Sequence, residues 1–189
     1  MKGSYRALFK VRLSSHGYTL VAKGMEKAER KYLIHESKVY EHLRSIQGSC
    51  IPVSLGIVNL ELPYYYDAGI YFSMLFLSWA GRSLRQCLPP KNEARILDQV
   101  NMILGELHGQ QVLHGDVEPR NWLWDEQHRR LMLVDFERAE IRGRLPLGTL
   151  SPNRKRNLRG KLKSDMKADQ FYCEIQSASA SISRWIVSA

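Results

Sequence analysis

The stretch HGDVEPRN (114–121), followed by the apolar run LMLV and then DFE (135–137), supplies Asp116, Asn121 and Asp135, which can serve as a base and a metal clamp in phosphoryl transfer. Moving a γ-phosphoryl group onto a hydroxyl calls for a carboxylate that orients the hydroxyl and accepts its proton. It also calls for Mg²⁺ against the phosphate oxygens, a hard cation that prefers ligands such as an Asn carbonyl and an Asp carboxylate. Asp116 is therefore the expected base. Asn121, five residues on, and Asp135, 19 residues from Asp116, are the expected Mg²⁺ ligands.

These residues need elements to hold them. Residues 93–113 put Ile96, Leu97, Val100, Ile103, Leu104 and Leu107 on one helical stripe. Pro119 interrupts regular structure, so HGDVEPRN is a loop, and WLW and LMLV read as short buried strands around the polar turn DEQHRR. Upstream, YTLVAK ends a strand at Lys23, and a helix over 26–46 carries Leu33, Val39, Tyr40 and Leu43 on one side. Residues 51–62 read as a strand pair or extended segment. YYYD reads as an aromatic turn, and 70–79 as a continuous apolar strand of a buried sheet.

Helix, loop, strand, turn, strand and DFE, preceded by VAK and a helical glutamate, resemble the protein-kinase-like superfamily. The residues that carry the resemblance are Lys23, Glu36, His114, Asp116, Asn121 and Asp135. It implies an α+β, bilobal fold, with a small N-lobe sheet and one long helix above a truncated, mainly helical C-lobe. It further implies ATP and Mg²⁺ as cofactors, Lys23 as the clamp on the α/β-phosphates, and a glutamate paired with it. Glu36 precedes V-Y-x-x-L as the family's glutamate does, while Glu29 and Glu41 compete for that role. Ser78, Trp79 and Ala80 fall where a kinase hinge offers backbone groups to adenine, and Leu77 would close the back of the nucleotide pocket. Plain core packing is the alternative for Leu77 and Trp79. His114 is expected to be structural. Gly3 corresponds to the middle glycine of the phosphate-covering loop, but Arg6 stands where its third glycine belongs. The resemblance covers roughly residues 3 to 140, the extent over which the kinase motifs can be matched.

Protein Ser/Thr kinases read HRDLKPEN, whereas this chain has Gly115, Glu118 and Arg120 at the Arg, Lys and Glu positions. Gly115 removes the group that pairs with a phosphorylated activation loop, and Glu118 is expected to set a negative charge beside the γ-phosphate. HGD and DFE are similar to the motifs of aminoglycoside- and choline-kinase-like enzymes, and the chain is also similar to short HGD-type kinase-like proteins of filamentous fungi. The resemblance thus implies a phosphotransferase acting on a hydroxyl acceptor, such as a protein Ser or Thr, with weak or lost activity. A pseudokinase serving as a nucleotide- or partner-binding module is the alternative from another class, and a small-molecule kinase is a third.

Composition bounds the remainder. The chain has 189 residues, 44% of them apolar, and a net charge of +9. Between residues 142 and 167 there are nine basic residues and one acid, a difference of +8. This segment reads first as a solvated flexible loop, with binding of an acidic partner or nucleic acid as the alternative. The expected organisation is a kinase-like domain over 1–141, with a partial N-lobe over 1–80 and the catalytic and metal motifs over 93–137. The basic segment follows over 142–167 and a helix over 168–189. Only 54 residues follow Asp135 (189 − 135), which suggests a trimmed kinase or part of a longer frame. Three widely spaced cysteines suit a reducing compartment, and no apolar run marks a membrane span or signal peptide, so an intracellular site, cytoplasmic or nuclear, is expected.

Overall fold

The computed structural model describes residues 6–86, 93–143 and 158–188. The upper half is an antiparallel sheet of four strands: β1 (Arg6–Arg12), β2 (Thr19–Glu26), β3 (Ser54–Tyr66) and β4 (Gly69–Ser78), ordered β1-β2-β4-β3. Helix α1 (Arg30–His42) packs against it. Leu33, Val39 and Tyr40 recur at helical spacing on its buried face and are fully excluded from water, as is Leu43 just beyond its end. Each such side chain contributes roughly 1.5–3 kcal/mol on burial. The helix is shorter than the 26–46 expected, because single 3-10 turns, Lys27–Glu29 and Arg44–Ile46, flank it.

Two expectations for the sheet are corrected. Tyr64, Tyr65 and Tyr66 do not form a turn. They extend β3, and the chain reverses at Asp67–Ala68, both with positive φ (46° and 61°), as a tight hairpin demands. The rings of Tyr64 and Tyr66 meet the edge of Phe9 on β1 at 5.3 and 5.2 Å. Strand β4 is exposed on one side only at its start, where Ile70 and Phe72 face solvent: farther on, Leu75 and Leu77 lie in the main core, and Met74 is buried on the opposite face in a second cluster with Ala22 and Tyr71.

The lower half is built on α2 (Glu93–Gly109) and α3 (Leu158–Ser188). Ile96, Val100, Ile103, Leu104 and Leu107 of α2 share one core with Ala178 and Ile182 of α3. Short strands complete it: β5 (Arg82–Ser83), β7 (Trp122–Asp125) and β8 (Arg130–Leu133) form one sheet, and β6 (Val112–Leu113) pairs with β9 (Glu140–Ile141). The fold is α+β and compatible with a small bilobal kinase-like domain. The C-terminal organisation differs from expectation. A single helix begins at Leu158, well inside the segment read as flexible, and Arg142 is anchored by Glu140 at 2.6 Å and Gln170 at 2.7 Å. Residues 144–157 lie outside the described residues. Among the described residues, no helix is long and apolar enough to cross a membrane.

The link between the halves depends on Gly81. Its φ is +106°, and a Cβ there would collide with the backbone carbonyl of Trp124 on β7. Gly81→Ala should combine left-handed strain of about 1–2 kcal/mol with overpacking of about 1–3 kcal/mol. A loss of at least about 2 kcal/mol, or roughly 4–8 °C in Tm, is expected by calorimetry. An unchanged Tm would contradict this account of the crossing.

Candidate active site

Lys23 lies on β2, the central position of a sheet already paired on both sides, and its ammonium is almost fully buried. It donates to Glu36 Oε2 at 2.7 Å and to Asp135 Oδ1 at 2.5 Å, with Glu137 Oε2 at 4.0 Å. Glu36, and neither Glu29 nor Glu41, is thus the helical partner. Burial is the largest influence on the Lys23 pKa and lowers it, but Glu36 and Asp135 outweigh it, so the ammonium is held above its ordinary range. Burial pushes the Glu36 carboxyl up, against the pull of Lys23. The result is one ammonium among three carboxylates.

Asp135 is presented by unusual backbone. Its φ of 72° and ψ of 65° are left-handed, and Phe136–Arg138 then make a 3-10 turn. Phe136 is fully buried and meets Tyr40 of α1 edge-on at 5.0 Å and His114 at 4.9 Å. His35 of α1 donates to the Ala139 carbonyl at 2.8 Å, fastening the helix to this turn.

The catalytic loop is fixed by buried polar groups. His114 Nε2 bonds to the Val134 carbonyl at 3.0 Å, and its Nδ1 accepts the Asp116 amide at 3.2 Å. Burial lowers its pKa, so the ring is neutral and its two nitrogens are spent on structure. Gly115 has φ +76°, and a Cβ would lie 2.8 Å from the Arg138 carbonyl, so only glycine fits there. Its amide donates at 2.7 Å to Glu174 Oε1 on α3, whose Oε2 pairs with His108 at 2.7 Å. Glu174 was invisible to the sequence reading, because one glutamate on a polar helix carries no local signal. Asn121 is buried and donates its Nδ2 to the Asp116 carbonyl at 2.8 Å, so its side-chain oxygen is the atom that could ligate a cation.

Arg120 donates through one terminal nitrogen to both oxygens of Asp116, at 2.6 and 2.8 Å, and Arg138 lies 4.0 Å away. Glu118 corrects an expectation. Its carboxylate accepts a bond from Ser181 Oγ on α3 at 2.9 Å and lines a separate cavity, not the one holding Lys23.

A cavity of about 510 Å³ between the halves is walled by Val21, Lys23, Trp79, Ala80, Asn121 and Asp135, among others. That size suits a nucleotide-sized ligand. Ser78 also lines it, but its amide donates to the Val53 carbonyl at 2.8 Å and that of Trp79 to the Thr19 carbonyl at 3.3 Å. Leu77 lies in the core and off the cavity wall, whereas Trp79 is part-exposed, with Lys10 Nζ 4.3 Å from its ring centroid. Gly3 lies outside the described residues.

The donor set fits Mg²⁺: an amide oxygen and a carboxylate facing one cavity, beside an excess of negative charge. Among the described residues no group of three or more His, Cys, Asp or Glu could hold a metal unaided. A two-residue clamp completed by phosphate oxygens and water is the mode Mg²⁺ favours.

The model of the lipopolysaccharide kinase (Kdo/WaaP) family matches residues 78–180, more than half of the chain. The meiotic driver SPOK2 of Podospora anserina is 34% identical over 142 residues, which are 74% of this chain and 18% of that protein. The chain therefore spans less than a fifth of that relative's length.

The loop anchor predicts acid sensitivity. The bonds Glu174 accepts from His108, Gly115 and His114 overcome its burial and hold its carboxyl below the usual range. Its contribution is complete above about pH 4.3, the unfolded value, and disappears as pH falls through the depressed folded value. The lowered His114 pKa acts in the same direction, because the unfolded chain takes up that proton first, below about pH 6.5. Tm should therefore fall from near pH 6.5 downward. Glu174→Gln should cost about 1.5–3 kcal/mol at neutral pH and flatten the lower part of the profile. A profile identical to that of the parent chain would refute the anchor.

Proposed function

The chain belongs to the lipopolysaccharide kinase (Kdo/WaaP) family of kinase-like phosphotransferases, and on that premise we propose that it moves the γ-phosphoryl group of ATP to a hydroxyl acceptor with Mg²⁺. The observation that carries this reading is the convergence of Lys23, Asn121 and Asp135 on one cavity, with Asp116 joined to its rim by Arg120. Lys23, held charged, attracts the α/β-phosphates and is oriented by Glu36. Asn121 and Asp135 supply oxygen ligands for Mg²⁺, which when bound would neutralise charge on the phosphate oxygens. Ala80 and Trp79 border the end of the cavity suited to adenine. The acceptor hydroxyl attacks the γ-phosphorus while Asp116 takes its proton, a protein Ser or Thr being one suitable acceptor.

Arg120 favours a second reading, a nucleotide-binding module with little turnover. Both oxygens of Asp116 are occupied by its guanidinium, so the base must be released before it can take a proton. Glu118 does not oppose transfer as its sequence position suggests, because it points to Ser181.

Nucleotide binding should tighten with Mg²⁺, and Asp135→Ala should abolish that gain in calorimetric titrations. Equal ATP affinity with Mg²⁺ and with a chelator would sink the clamp. Transfer should run below the roughly 1–100 per second of ordinary kinases. Asp116→Asn should remove it while leaving ATP affinity nearly intact. Residual transfer that survives Asp116→Asn would remove Asp116 from the base role.

A further inference from the structure

A second cavity, about 490 Å³, opens on the other side of Arg120, between the catalytic loop and the C-terminal part of α3. Its walls are Arg85, Glu118, Pro119, Arg120, Ser181, Arg184 and Trp185. Arg120 lines both cavities and grips Asp116. The second cavity thus adjoins the first at Arg120, the residue that holds Asp116.

We propose that this cavity receives the acceptor, and that its charge selects a serine or threonine flanked by carboxylates in an acidic polypeptide segment. The proposal rests on the phosphotransferase reading. Three guanidiniums, those of Arg85, Arg120 and Arg184, face one carboxylate, Glu118, and that carboxylate already accepts the Ser181 hydroxyl at 2.9 Å. Arg184 commits its Nε to the Ala180 carbonyl at 3.2 Å, which fixes the side chain along α3. Planar guanidiniums match carboxylates bidentately, which makes arginine the side chain of choice for such recognition. Pro119 and Trp185 add apolar surface beside them.

Shape favours a peptide over a small acidic molecule. Arg85, Arg120 and Arg184 are all exposed, so the charged rim is open, whereas small-molecule sites bury most of their ligand's surface. An extended segment can cross an open basic rim and insert one hydroxyl toward Asp116. The net charge of +9 draws acidic partners from a distance. In the transfer step the acceptor oxygen bonds to the γ-phosphorus and its proton passes to Asp116. The bond from that phosphorus to the β,γ-bridging oxygen breaks, and ADP leaves with that oxygen.

The test uses short fluorescent peptides with a central serine flanked by Glu and Asp, by neutral residues or by Lys. Binding to the full chain is read by anisotropy, and transfer is read separately with radiolabelled ATP and Mg²⁺. The acidic peptide should bind about tenfold or more tighter than the neutral one, with the advantage shrinking as salt rises. Arg85→Glu with Arg184→Glu should reverse the order in favour of the Lys-flanked peptide, a gain that misfolding does not produce. Equal affinity for the three peptides, or no reversal in the double variant, would overturn the proposal. So would phosphorylation of a uronic acid in preference to the acidic peptide. Selective binding of the acidic peptide without any transfer would overturn the phosphotransferase reading while upholding charge selection by this cavity.

Discussion

One buried ammonium holds the two halves together. Lys23 comes from the middle of the upper sheet, Glu36 from α1, and Asp135 from the turn after β8, yet both carboxylates reach within 2.7 Å of the one ammonium. An unpaired charge at that depth would be costly, and removing one partner of a buried pair typically costs about 3–5 kcal/mol. The need to satisfy Lys23 therefore constrains the rotation of α1 and the backbone of Asp135 together. The left-handed Asp135 and the buried Phe136, wedged between Tyr40 and His114, are consistent with that constraint. The same cluster leaves negative charge in excess at the cavity wall, where a cation would be attracted.

The catalytic loop is held by a different device. No regular element spans 114–118, so its backbone groups need partners from elsewhere. Glu174 accepts amides of the loop, His114 uses both ring nitrogens to tie it to Val134 and to itself, and Asn121 bonds back to Asp116. Most of these partners are buried, which strengthens the bonds and raises the cost of losing any of them. A loop pinned from three directions can place Asp116 and Asn121 reproducibly, as phosphoryl transfer demands.

The site was more legible in the sequence than its surroundings. Lys23, Glu36, Asn121 and Asp135 meet because each belongs to a motif with its own local signature: VAK ending a strand, a glutamate within an apolar helical stripe, and polar residues bounded by short apolar strands. What was misread depended on tertiary direction. Glu118 is one residue from Pro119 in the same turn, but where its carboxylate points is decided by Ser181, which is 63 residues away. Glu174 has no signal except its distance from Gly115 in space. The tyrosines at 64–66 have strand propensity and hydrophobic partners on β1, which outweighed the turn suggested by the following aspartate. The basic stretch starting at 158 is rich in Lys and Leu, both good helix formers, and continues into the apolar stripe of α3. Its charge was a poor guide to its conformation.

Charge at the active centre has been moved more than it has been lost. The familiar kinase loop carries a lysine two residues beyond the base and a glutamate two residues further on, and here the signs at those two positions are exchanged, as Glu118 and Arg120. A residue-by-residue comparison counts two damaging changes. In the folded chain they compensate each other: Glu118 turns to α3, and Arg120 brings a guanidinium to the carboxylate of Asp116 and the rim of the cavity that holds Lys23. The positive charge beside Asp116 is thus retained, supplied from the other position. One terminal nitrogen of Arg120 bonds to both carboxylate oxygens, and a guanidinium stays charged at any ordinary pH. The position of Asp116 is thereby fixed by the same contact that occupies both of its oxygens.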